Sequence, residues 1–215
     1  MKNKFLALIA SSMLILSFSS LKADMSVGLS FMAGQADTSG HELENGAAAD
    51  KNSKSVKEYF YGASVFVEAV GDNGFALGLD YVPVDMDIGD GKRTDTSTGA
   101  DATSEADTGT RTASASLEDL ITIYANIPLG DQGVYALAGY HMVTVTTSEG
   151  LPNSSYGNDD ITGYQIGIGR RADNYKLEFF YSDFDDVSLT ATGGKGSHKI
   201  EADADAMGFK ASVLF

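Results

Sequence analysis

The sequence contains no cysteine, no tryptophan and only three prolines in 215 residues. Without cysteine there is no disulfide framework, no thiolate metal centre and no thiol nucleophile. With so little proline, few points interrupt an extended chain. Basic residues are scarce as well: 15 Lys and Arg stand against 30 Asp and Glu, a formal charge of −15. A nucleic-acid partner is met through phosphate by Lys and Arg, so that class is excluded. Nothing approaches the roughly 20 apolar residues of a membrane-spanning helix.

The apolar run from Phe5 to Phe18 follows Lys2 and Lys4 and leads through Ser19 and Ser20 to Ala23. A basic start, a short apolar middle and a small exit residue have the form of a secretory leader. Residues 1–23 are read as that leader, although Leu21 is bulkier than the residue favoured three before a cut. Its removal takes away Lys2, Lys4 and Lys22, so the charge of −15 becomes −18. The rest, 24–215, is long enough for one domain.

Apolar residues recur there at every second position, the period of a strand with unlike faces. Eight strands are predicted, over 24–33, 56–68, 75–85, 113–128, 134–145, 161–171, 175–189 and 200–215. Within 113–128, Asp119 interrupts the apolar face while Leu120 and Tyr124 fall on the polar one, a conflict that a bulge would accommodate. "GDNG" (71–74), "GDQG" (130–133) and "ADN" (172–174) are tight turns by composition. Long polar stretches separate the other strands: 34–55, 86–112, 146–160 and 190–199. Short and long connections in alternation, with an even strand number, are the layout of a membrane barrel. The fold class expected is therefore all-β: an eight-stranded antiparallel up-and-down transmembrane barrel with three short turns and four longer loops.

Alternation by itself also fits a soluble barrel with its apolar face inward. Two features favour the inverted arrangement. Aromatic residues on the apolar face sort to two heights: Phe31, Tyr59, Tyr61, Tyr81, Tyr140, Tyr164 and Tyr181 toward the loops, and Phe75, Tyr175 and Phe215 toward the turns. Rings flanking an aliphatic band form a membrane girdle. The opposite face is built of Gly, Ser, Ala and Thr with scattered ions: Glu58, Glu68, Asp80, Glu118, Arg171, Lys176, Glu178 and Lys210. A narrow lumen needs small residues, and ions there must pair, so ion pairs are expected among this set.

On the closing "FKASVLF", the leader and the eight-strand plan, the chain resembles the small outer-membrane β-barrel family, of the OmpA transmembrane-domain, OmpX and opacity-protein type. The resemblance spans essentially all of 24–215. It implies residence in the cell outer membrane, with outer-membrane lipid and lipopolysaccharide as surroundings. It also implies insertion by the barrel-assembly machinery, for which Phe209, Val213 and Phe215 are the matching signal. That signal usually has Gly where Lys210 stands, and Gly208 lies two positions earlier.

The functional expectation is an integral envelope protein with a structural, surface-interaction or adhesion role, no catalysis and no cofactor, as a monomer. A narrow channel for small or hydrophobic solutes is the alternative. Some barrels of this kind modify lipid A, which makes an enzyme the third reading. It would need a histidine with helpers, yet Ser197 and His198 are adjacent and on a strand point to opposite faces, and neither His141 nor His41 belongs to a recognisable triad. "DMDIGDG" (85–91) lacks the spaced twelfth ligand of a calcium loop and reads as part of a solvated loop. "SDFDD" (182–186) and "EADADA" (201–206) would bring acidic residues to the loop ends. Lys51, Lys54, Lys57, Lys92 and Arg93 could meet phosphate head groups. No metal site is predicted.

Overall fold

The structure, a computed structural model, describes residues 23–43, 51–95, 109–150, 154–193 and 198–215. Residues 1–22 of the predicted leader, and 96–108 within the long polar stretch 86–112, lie outside them. The strands are β1 (Ala23–Leu43), β2 (Lys51–Gly71), β3 (Ala76–Val82), β4 (Met86–Asp95), β5 (Gly109–Pro128), β6 (Val134–Glu149), β7 (Ser154–Ser155), β8 (Asn158–Arg171), β9 (Tyr175–Thr190), β10 (Thr192–Gly193) and β11 (Lys199–Leu214). Among the described residues there is no helix. β3 and β4 are two parts of one wall strand, interrupted beside Pro83, which has no N–H to give a ladder. Counted so, eight strands pair antiparallel with their chain neighbours, and β1 with β11 closes the ring. The small β7–β10 pair links two of the loop-end connections.

The three tight turns are as predicted. Gly74, Gly130 and Gly133 occupy the left-handed region with φ of 79°, 86° and 72°, where a Cβ would be strained. The bulge is present too. Asp119 has φ 53°, and the β5–β6 register slips between Glu118 and Ile121. At the C-terminus Leu214 lies opposite Gly28, and Phe215 N donates to Val27 O at 2.8 Å. The terminal Phe is thus fixed beside the first strand.

At the loop end the strands run further than predicted. "DMDIGDG" lies mostly in β4 and β1 runs on to Leu43, ten residues past its predicted end, while "EADADA" lies wholly in β11, within the strand predicted over 200–215. In the latter, Asp203 and Asp205 alternate with Ala202, Ala204 and Ala206. Backbone pairing continues through such segments because the small residues fit the inner face while the carboxylates turn to solvent.

Two joints are incomplete toward the loops: the β8–β9 ladder ends at Gly163 with Phe184, and the joint of β2 with its neighbour is shorter still. β2 pairs β3 from Val65 with Tyr81 to Val70 with Ala76. Above that level β4 pairs only with β5, and no ladder joins it to β2 among the described residues. Side chains reach β4 instead: from β2, Lys54 Nζ donates to Asp90 O at 3.0 Å, and from β1, Thr38 Oγ1 donates to Ile88 O at 3.0 Å.

The two faces are dressed inside out relative to a water-soluble core. Ile123, Ile166, Phe179, Val27 and Leu29 face outward and are exposed, with Ile166 at 62%. Gln165, Ser30, Ser64, Thr122 and Ser212 are buried within. The aromatic rings of the two predicted girdles all lie on the outer face, led by Tyr59 at 72% and Phe215 at 73% exposure, with Tyr81 half-buried. Phe31 stacks on Tyr61, and Tyr140 meets Tyr164 edge to face. Leu79, opposite Val67 and Ile123 in the outward register, is nevertheless only 8% exposed, so the outer surface is not evenly open where β2, β3 and β5 meet.

Candidate functional site in the barrel interior

The interior is built in three storeys. Nearest the turns, inward positions of β2, β3, β8, β9 and β11 bring together Glu68, Asp80, Arg171, Lys176, Glu178 and Lys210. Glu68 is fully buried. It pairs with Arg171, receives Lys176 Nζ at 3.1 Å and accepts the Tyr124 hydroxyl at 2.9 Å. Glu178 lies 3.5 Å from Lys176 and 3.3 Å from Lys210, and accepts the Tyr135 hydroxyl at 2.7 Å. Lys210 also reaches Asp80 at 3.2 Å. Lys176 Nζ stands 4.6 Å from the Phe66 ring centroid and 5.0 Å from that of Tyr124, a favourable placement for a cation. Three carboxylates and three cations balance, which is what burial of ions at this depth demands.

The two tyrosines reach their carboxylates because glycines stand under their rings. A Cβ on Gly78 would come within 2.3 Å of the Tyr124 ring, and one on Gly169 within 2.4 Å of Tyr135. Gly78→Ala is therefore expected to push Tyr124 off Glu68 and to cost about 1–3 kcal/mol through overpacking. Urea unfolding in lipid vesicles measures this, with Gly89→Ala as the control, since a Cβ there meets nothing within 4 Å.

Above the ions sits a histidine shelf. His141 is buried, with Thr122 Oγ1 2.8 Å from Nδ1 and Ser182 Oγ 2.9 Å from Nε2. Its ring stacks on Phe184 at 5.2 Å. Both nitrogens are occupied by hydroxyls, and neither meets a carboxylate. Among the described residues no group of His, Cys, Asp and Glu could hold a metal.

The third storey, toward the loops, is a cup of about 350 Å³ with mostly apolar walls, including Val56, Ile88, Leu117, Val145, Val187 and Leu189. Polar side chains gather at its rim, and several are engaged there. His41 pairs with Glu201 at 3.0 Å, Tyr156 donates to Glu42 at 2.7 Å, and Ser39 donates to Asp203 at 2.8 Å. The Lys199 ammonium beside Glu201 holds that carboxyl below its ordinary range.

The crystal structure of the outer membrane protein OprG from Pseudomonas aeruginosa superposes on this chain with a TM-score of 0.50 at 13% identity, over 88% of this chain and 95% of that one. The chain has the fold of a small outer-membrane β-barrel. Neisserial surface protein A (TM-score 0.40, 10% identity, 86% of this chain and 97% of that one) and the attachment invasion locus protein Ail of Yersinia pestis in complex with the heparin analogue sucrose octasulfate (0.38, 10%, 87% and 99%) are also similar. No protein-family model and no curated protein matches the sequence.

Of the eight ions assigned to the lumen of this barrel, six stand in the turn-side cluster. Glu58 is on the inner face by its register with Ala36, but lies at the loop-side level, half-buried and without an ion pair among the described residues. Glu118 is a correction. It pairs with Thr144, which turns outward to Asp160, so Glu118 is on the outer surface. The bulge at Asp119 adds one residue and inverts the faces before it; the same inversion carries Leu117 into the interior. Tyr124 lies inside, on the polar face where the sequence put it, but sequence reasoning missed Phe60, Phe66, Phe180, Phe184 and Tyr135 as interior groups. Their signal was visible in "EYFYG" and "EFFYS", where apolar residues occupy consecutive positions and so must supply both faces. His198 is half-buried near the start of β11, Ser197 lies outside the described residues, and His41 is at the rim.

Proposed function

We propose that this chain is an integral outer-membrane protein, exported through residues 1–23, whose role is surface interaction or envelope structure without catalysis. One observation carries this: the exposed surface is an apolar band with aromatic rings, while the charged groups are paired inside. An exterior of that kind is costly in water and suits acyl chains. The aromatic side chains at both ends of the band are the proposed membrane girdle, and lipopolysaccharide and outer-membrane lipid its surroundings. Phe209, Val213 and Phe215 are proposed as the signal for the barrel-assembly machinery. Above the band the outer face turns acidic, with Asp37, Asp205 and Asp183 side by side across three strands and Lys57 paired to Asp37.

The ion cluster argues for a closed floor rather than a solute channel. The engagement of both His141 nitrogens by hydroxyls argues against a lipid A enzyme. The test is electrophoresis of purified outer membranes with and without boiling. A heat-dependent change in migration, in a band confined to that fraction, is expected. Absence from the outer membrane, or identical migration in both lanes, would overturn the proposal.

A further inference from the structure

We infer that the loop-side cup is a binding site for one small, neutral, apolar molecule, a single-ring or short-chain hydrocarbon. This rests on the fold, and on the membrane reading only for the medium in which it is tested. The volume, about 350 Å³, falls at the small end of ordinary ligand pockets. Its walls, including Val56, Ile88, Val145, Val187, Leu189 and Ile200, offer contact and little hydrogen bonding, and water in such a space gives up partners. Four of the charged groups at the rim are already held by protein: His41 by Glu201, Glu42 by Tyr156, Asp203 by Ser39, and Lys54 by the Asp90 carbonyl. Glu149 accepts from Tyr156 N at 3.5 Å through one oxygen and has no hydrogen-bond partner for the other among the described residues. A ligand anion would have to displace one of these pairs and would meet the Glu149 carboxylate, so the site selects against anions, and the apolar walls offer no ion a partner below the rim. Beneath the cup, the stacked His141 and Phe184 rings and the ion cluster below them close the way onward. A molecule that enters is retained there rather than conducted.

The chain carries its own reporters. Ile88, Ile161 and Ile200 line the cup, whereas Ile127, Ile166 and Ile168 are exposed on the outer face. The experiment is methyl NMR of the mature chain, labelled at isoleucine δ1 and reconstituted in lipid nanodiscs, titrated with benzene, whose ring current shifts nearby methyls. The expected result is a saturable shift of the three inner methyls, while the outer three drift without saturation as benzene partitions into lipid. Leu189→Asn should weaken the saturable phase at least ten-fold. Ala115→Leu, which fills the cup without adding polarity, should do the same and serves if the first variant does not fold. Inner methyls that do not move, or that follow the outer ones without saturating, would overturn the inference. A failed heat-modification test with a saturable inner shift would remove the membrane reading and leave the cup.

Discussion

Glu68→Gln is expected to destabilise the barrel by about 3–5 kcal/mol, the usual consequence of removing one partner from a buried ion pair. The substitution keeps the shape and deletes the charge that Lys176 and Arg171 share. Arg171 is partly exposed, at 22% of its side chain, and can turn to water. Lys176 cannot: its side chain is 2% exposed, and its remaining carboxylate partner, Glu178, is already shared with Lys210. The loss should therefore fall mainly on Lys176. Adding Lys176→Met should recover part of it, since contacting residues couple by about 0.5–3 kcal/mol. Urea titration of the protein folded into lipid vesicles reads both variants against the parent chain. A single-variant loss below about 1 kcal/mol, the scale of a solvated pair, would mean that water reaches the cluster.

Ile166→Arg is expected to cost about 2–4 kcal/mol in a bilayer, the penalty for a guanidinium near the midplane of a barrel's outer face. Ile166 is central among the outward residues of β8, between Thr162 and Tyr164 on one side and Ile168 and Arg170 on the other. Were that face in water, an exposed Ile exchanged for Arg would change stability by no more than about 0.5 kcal/mol. Ser55→Arg, exposed near the loop end of β2, provides the comparison and should be close to neutral. Equal effects of the two variants would contradict the membrane reading.

The strands were legible where one face is apolar and the other small or polar, as in Tyr164–Gln165–Ile166–Gly167–Ile168. They became invisible where neither face is greasy, as over 34–43 of β1 and 86–95 of β4, because hydropathy then does not register the difference between inner and outer positions. The bulge could be suspected from Asp119, but not its consequence. Only the β6 register shows that Glu118 and Leu117 exchange faces. Pairing of the interior ions was foreseeable from the rule that buried charges need partners. Which carboxylate meets which cation depends on strand stagger, and a sequence does not carry that. The apolar cup was hidden for a related reason: Val145, Val187 and Leu189 look like lipid-facing residues until the ring fixes their direction.

The incomplete joint between β2 and β4 also sets how the ring comes apart. Eight staves held by continuous backbone ladders have no preferred place to open, whereas a ring with joints fastened along only part of their height does, and the β2 joint is fastened over the shortest stretch. Along the unfastened stretch, the Lys54 and Thr38 side-chain contacts and packed apolar groups hold the wall. Amide protons of β2 that face β4 there lack the protection given by a full-height ladder such as β1–β2, and the opening of the wall, in unfolding or during insertion, begins at an edge of this kind.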